Sequence, residues 1–287
     1  MRKRVRKASF AGSWYPAKAR ACEDEIRAYL EDAMLSVPAG ESLVGGIVPH
    51  AGWYFSGSIA CNVIAALREQ APVDVIVVFG MHLHTDSPAY IMPAGACQTP
   101  FGDIEIHTEL AQKLAADFPF QIETVDSYTR DNTIELQLPF IKYFFPDARL
   151  VPMGIPPAAS SLEIGRKTAT YARELGLRLK VIGSTDLTHY GMNYGFTGHG
   201  SGTSAVEWVR EANDRRVIES MLGMNPETVI EEALSSQNAC CAGAAATAIA
   251  AAKQLGAARA HQLAYATSYD KHPGDSFVGY VGIVFEI

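Results

Sequence analysis

Basic side chains are in short supply in this chain. Its 287 residues set 24 Lys and Arg against 31 Asp and Glu, a formal net charge of −7. The one basic run, MRKRVRK at residues 1–7, has no interleaved aromatics. A polyanion finds no charged track here, which argues against nucleic acid as a partner. Long apolar runs are lacking too. The longest, Ala239–Ala252 (ACCAGAAATAIAAA), is alanine-rich and well short of the roughly 20 residues a membrane helix needs. The ASFAGSWYP after the basic run is too short and too polar for a signal-peptide core, so the expected location is the cytoplasm and no membrane partner is expected. Cysteine is sparse: Cys22, Cys61, Cys97, Cys240 and Cys241 show neither disulfide-framework nor zinc-finger spacing, and their odd number suits a reducing compartment. No linker, internal repeat or low-complexity tract marks a boundary, so residues 1–287 are expected to form a single domain.

What the chain does have is alternation. With 48% hydrophobic and 19% charged residues it reads as globular, and short strand-like runs exchange with helix-like ones, as in a parallel or mixed sheet covered by helices. SLVGGIVPH is followed by GSIACNVIAALREQ, where Ile59, Val63, Ile64 and Leu67 have helical spacing. VDVIVVFG, RLVPMGI and RLKVIGSTD read as further strands. Helices are expected at 107–117, 133–145 (bent or split by Pro139), 161–175, 205–221, 226–234 and 241–255. The glycine-rich YGMNYGFTGHGSG reads as an irregular loop, and HQLAYATS and SFVGYVGIVFEI as terminal strands. The fold class is therefore α/β, with a central mixed, largely parallel sheet.

Chemistry concentrates where strands stop. The first ends at PHAG with His50, the second at GMHLH with His82 and His84, and the third at STDLTHYG with Asp186 and His189. In open α/β sheets the carboxyl ends of parallel strands are where ligands bind, so neighbouring parallel strands would bring these groups to one rim. Cys240 and Cys241 precede an alanine-rich helix, whose N-terminal field favours thiolate. Two imidazoles, from His50 and either His82 or His84, and a thiolate make three ligands for a borderline or soft divalent metal, leaving a position for water or substrate. Outside this group, His107, His199, His261 and His272 read as surface or capping residues. Cys22, Cys61 and Cys97 read as small buried hydrophobes, and Trp14 and Tyr15 as packing that pins the N-terminal segment. Trp53, Tyr54, Tyr190 and Tyr194 would suit a pocket for a planar compound, although aromatics also fill cores.

These motifs together resemble a known family. ASFAGSWYP, PHAGWYFSG, TIELQLPF, STDLTHYG, NACCAG and DSFVGY stand in the order and spacing of the Memo family, the B component of the AmmeMemoRadiSam system, over Ala8 to Tyr280. That family resembles class III extradiol, LigB-type dioxygenases, which implies a single α/β domain around a central sheet. Carried over, the family's metal pattern falls on His50, His82 and Cys241, with Asp186 and His189 lining the same pocket. The family's usual G-P-S-H-H is GMHLH here, which leaves His84 as an alternative to His82. Histidines frequent elsewhere in the family are replaced by Asn132 and Gln137. The resemblance implies a non-haem iron(II) oxidoreductase, with Cu or Zn as other metals a thiolate accepts, acting on a small-molecule or peptide substrate, with His189, oriented by Asp186, as general acid or base. Other AmmeMemoRadiSam proteins are implied partners. Two rival expectations are a non-catalytic metal- or peptide-binding protein and a metal-free hydrolase whose nucleophile is Cys241.

Overall fold

The computed structural model describes residues 4–31, 42–68 and 71–287; residues 1–3 of the basic run and Glu69–Gln70 of the expected second helix lie outside them. The chain begins with β1 (Val5–Arg6), α1 (Ala19–Glu31), β2 (Leu43–Val48), α2 (Ser58–Ala66) and β3 (Val75–Gly80). Next come β4 (Tyr90–Ile91), β5 (Ala96–Thr99), β6 (Gly102–Glu105), α3 (Thr108–Asp117), β7 (Gln121–Ile122), α4 (Asn132–Glu135) and α5 (Leu138–Phe144). The second half holds β8 (Arg149–Gly154), α6 (Ser161–Glu174), β9 (Leu179–Ser184), β10 (His189–Tyr190), α7 (Gly202–Trp208), α8 (Asp214–Leu222), α9 (Pro226–Ser236), α10 (Ala242–Gln254), β11 (Arg259–Thr267) and β12 (Phe277–Glu286).

One mixed sheet organises the domain, in the order β10-β12-β2-β9-β3-β8-β4-β7, with β11 on β12. Its centre is parallel: β2 pairs with β9, β9 with β3 and β3 with β8. β12 closes antiparallel against β2. Every residue of β2, β3 and β9 is buried, which is why these strands read as continuous apolar runs rather than alternating ones. Helices flank the sheet, α2 against β2 and β12, and α10 against β9, β2 and β3. A second sheet, β1-β5-β6, and the short strands β4 and β7 carry no periodic signal long enough to expect from sequence.

The alanine-rich run is a buried helix. All of Ala242–Ala252 is buried in α10, and small side chains let backbones meet closely around it. A Cβ added at Gly183 in β9 would stand 2.9 Å from the Ala244 carbonyl oxygen, and one at Gly165 in α6 2.4 Å from that of Thr247. Those close approaches fix how far the Cys240–Cys241 corner reaches over the sheet. No helix among the described residues is long and apolar enough to cross a membrane, and all five cysteines are free.

The expected helix 133–145 breaks in two at Leu136–Gln137, with Pro139 in the first turn of α5, where its missing N–H costs nothing. The expected helix 205–221 starts earlier and is interrupted by a π-helical turn at Val209–Asn213.

Candidate metal centre

Because β2, β9 and β3 are parallel neighbours, their carboxyl ends lie side by side. β2 passes through Pro49 to His50, β9 through Thr185 to Asp186, and β3 into Met81 and His82. Met81 has φ +70°, a conformation unusual for a side chain of this size. It turns the chain sharply at the strand end, and its N–H is held by Thr133 Oγ1 at 2.7 Å. Cys240 and Cys241 arrive at the start of α10, where the Cys240 N–H bonds the Asp186 carbonyl at 3.1 Å and the Cys241 N–H bonds Thr185 Oγ1 at 3.0 Å. The corner that carries the thiols is thus hydrogen-bonded to the loop that follows β9.

One ligand atom from each of His50, His82, Cys240 and Cys241 lies within 4.8 Å of the others. Cys240 Sγ is 3.3 Å from His50 Nε2 and 3.8 Å from Cys241 Sγ. The two imidazoles meet edge to face, centroids 5.0 Å apart. A tetrahedral ion with bonds of about 2.3 Å to sulfur and about 2.0 Å to nitrogen spaces two sulfurs about 3.8 Å apart and a sulfur–nitrogen pair about 3.5 Å apart. The Cys240–Cys241 and Cys240–His50 pairs stand close to those separations, and two thiols with two imidazoles form a donor set suited to a borderline or soft ion. These residues fit a metal.

The electrostatics point the same way. Burial disfavours charge on Cys240, but Cys241 and the two imidazoles outweigh it and hold this thiol well below its ordinary pKa. Burial and the neighbouring Cys240 sulfur hold the Cys241 thiol well above its own. One thiolate in the pair is stable and it is Cys240. Burial pulls His82 toward neutrality, yet Asp131 and Cys240 dominate and its pKa is pushed up to about 10. His50, 2% exposed, is also raised, Asp186 and Cys240 prevailing over burial. Asp186 is itself raised, because burial outweighs the nearby His50.

A cleft of about 550 Å³ opens above His50, His82 and Asp186, its wall formed by Trp14, Tyr54, His189, Tyr194, His272 and Tyr280 among others. His189 reaches it from β10, with Nδ1 3.1 Å from the Leu187 carbonyl. The orienting partner expected from sequence was Asp186. That carboxylate, in the loop that follows β9, instead accepts the His50 main-chain N–H at 2.7 Å. His84 lies on the exposed outer turn, its N–H on Ser87 Oγ, and is absent from the cluster; His82 is the one brought in. Of the expected pocket aromatics, Tyr54 and Tyr194 line the cleft, while Trp53 and Tyr190 are core residues. Tyr15 is buried with its hydroxyl on Glu135, and Trp14 beside it stands 41% exposed on the wall.

Several contacts that matter escape sequence reading. Cys240, rather than Cys241 alone, faces His50. Asp131 caps α4 and stands 3.7 Å from His82 Nδ1. Asn132 Nδ2 donates to the His50 carbonyl at 3.0 Å, and Gln137 Nε2 to that of Pro49 at 2.9 Å. The N-cap pattern of DNT was a usable signal for Asp131; nothing local marks the rest. His272, read as a surface residue, lies on the cleft wall. His107 caps α3 as expected, His199 stacks on Trp208 and His261 pairs with Glu286.

Comparison with known proteins agrees along the whole length. A family model described as Memo-like protein matches residues 6–284. A MEMO1 family protein of Pyrobaculum aerophilum is 32% identical over 295 residues, covering 98% of this chain and 99% of that protein. One of Pyrococcus furiosus is 31% identical over 291 residues, covering 98% of each. An uncharacterized protein of Escherichia coli K12 shares the fold, with a TM-score of 0.51 at 14% identity, covering 84% of this chain and 99% of that one.

Proposed function

The chain belongs to the Memo-like protein family, and from that premise we propose that it is a metal-dependent oxidoreductase of extradiol-dioxygenase type acting on an aromatic small molecule or peptide. His50, His82 and a thiolate of the Cys240–Cys241 pair hold the metal, iron(II) in the first instance, with Cu or Zn compatible with the sulfur. The observation that carries this reading is the meeting of four donor atoms within 4.8 Å, two of whose residues, His50 and His82, line an open cleft. A closed structural site would have no use for such a cleft, whereas a catalytic one keeps a side open. Iron(II), when bound, supplies open coordination positions and an electron source.

The chain's own residues supply the rest. Tyr54, Tyr194 and Trp14 line the wall, and aromatic rings there suit stacking on an aromatic substrate. His189 holds its Nδ1 hydrogen on the Leu187 carbonyl, which leaves Nε2 to take or return a substrate proton. Asp186 holds the His50 loop rigid through its bond to the main-chain N–H. Free thiols throughout suit the reducing cytoplasm. The hydrolase reading gains no support: Cys241 is 3% exposed and its thiol is held in the protonated form.

The test is anaerobic purification, elemental analysis of wild type and His50→Ala, and oxygen uptake with a panel of phenols and catechols. One metal per chain that is lost in the variant, with oxygen consumed in step with substrate, is the expected result. Equal metal in both proteins would overturn the site, and metal without oxygen uptake would favour a binding protein.

A further inference from the structure

The hydroxyl of Ser184, the last residue of β9, is wholly buried and touches three polar atoms. It lies 2.7 Å from the Thr133 carbonyl oxygen, 3.0 Å from His50 Nδ1 and 3.5 Å from Gln137 Nε2. Two oxygens at 2.7 Å repel unless a hydrogen lies between them, and a carbonyl has none to give. The single hydroxyl hydrogen is therefore committed to Thr133. What Ser184 offers His50 is a lone pair, so the hydrogen in that contact must sit on Nδ1. The Gln137 amide approaches as a donor as well, so the hydroxyl has no second hydrogen to turn toward the ring.

We propose that Ser184 is a positioning residue that locks His50 in the Nδ1–H tautomer and so presents the Nε2 lone pair to the metal site. It deepens the metal reading above by naming the group that prepares the buried imidazole. The chain of contacts continues outward: the Thr133 carbonyl belongs to α4, the same short helix whose cap, Asp131, faces His82 and whose Asn132 holds the His50 carbonyl. One four-residue helix and its cap therefore brace both histidines. With hydrogen fixed on Nδ1, Nε2 is the ring nitrogen that faces Cys240 Sγ at 3.3 Å, and an arriving ion has only to displace the proton held between that nitrogen and the sulfur, without any ring flip or tautomer exchange. Outer-shell partners of this kind typically change metal affinity by roughly 10–100-fold.

Nitrogen-15 NMR of the His50 ring in the metal-free protein, at alkaline pH where the ring is neutral, reads the tautomer directly. Wild type should show hydrogen on Nδ1, and Ser184→Ala should show a mixture or a shift to Nε2–H. Zinc and cobalt affinities by chelator competition should fall roughly 10–100-fold in Ser184→Ala with the thiolate-to-cobalt bands retained, and recover in Ser184→Thr, which restores the hydroxyl. An Nε2–H ring in wild type overturns the proposal whatever the variants do. So does a Ser184→Ala protein that keeps both the tautomer and the affinity. Failure of wild type to bind either ion would sink the metal reading while leaving the tautomer result to stand or fall alone.

Discussion

Cys240 Sγ lies 3.3 Å from His50 Nε2 although 190 positions separate the two residues in the chain. This pairing makes the two thiols of the corner inequivalent. Cys240 is partly exposed and faces two imidazoles, whereas Cys241 packs inward at 3% exposure.

Alkylation should expose that difference. After chelation, iodoacetamide at neutral pH is expected to modify Cys240 first, with Cys241 slower. Burial pushes Cys22, Cys61 and Cys97 up to about 12, so they should remain unmodified in the folded protein. Peptide mapping over a time course decides the order; Cys241 reacting ahead of Cys240 would refute the assignment.

Metal affinity should depend on pH. His82, pushed up to about 10 by Asp131 and Cys240 against the pull of burial, carries a proton at neutral pH that an ion must displace. Zinc affinity is thus expected to rise by at least roughly tenfold per pH unit between pH 6 and 8. In the metal-free protein, Asp131→Asn should bring the His82 pKa down toward 6.5, visible by NMR titration. The linkage has a sign: a His whose folded pKa is raised adds stability that is complete below its unfolded value of 6.5 and is lost as pH climbs to about 10. A pH-independent affinity would contradict the arrangement.

Asp214 gives a stability signature away from the cleft. It is fully buried, accepting from the Thr188 N–H and hydroxyl and from the Tyr265 hydroxyl at 2.7 Å. Burial outweighs those bonds and pushes its pKa up to about 7. The folded state therefore holds a proton that the unfolded chain releases, and the protein loses stability as pH rises from 3.8 to about 7. Asp214→Asn removes this loss. Denaturant melts should show the variant gaining on wild type across that window, by up to roughly 4 kcal/mol, and then levelling off. A difference that stays constant with pH would argue that Asp214 is charged throughout.

Gly183 tests how the thiol corner is positioned. Its added Cβ would meet the Ala244 carbonyl oxygen and the Ala248 methyl, each at 2.9 Å. Gly183→Val is expected to push α10 off the sheet, at a cost of about 1–3 kcal/mol, and to weaken zinc binding along with it. Unchanged thermal stability in the variant would show that α10 has room to spare.

The sheet was legible because its central strands are unbroken apolar runs ending in polar corners, and buried parallel strands leave that trace. The rim was legible for the same reason: three strand ends carried His50, His82 and Asp186. The break in the 133–145 helix was half-visible through Pro139, which marked the boundary without saying which residues would face the metal site. Motif order carried the family. Local patterns did not reveal that His82 rather than His84 enters the cluster, since that depends on the left-handed turn at Met81, nor that Asp186 serves the His50 main chain while Leu187 holds His189.

What the amino-acid order determined by itself was a globular α/β domain of acidic charge with ionisable groups gathered at strand ends, because burial periodicity and charge are properties of neighbouring residues. Which sulfur meets which nitrogen was decided only by tertiary packing. The 3.3 Å between Cys240 and His50 follows from an alanine-lined helix settling on Gly183, and the orientation of the imidazole from where a hydroxyl on β9 sends its one hydrogen. Distances of a few tenths of an ångström between segments far apart in the chain come from close packing, and no stretch of sequence encodes them alone.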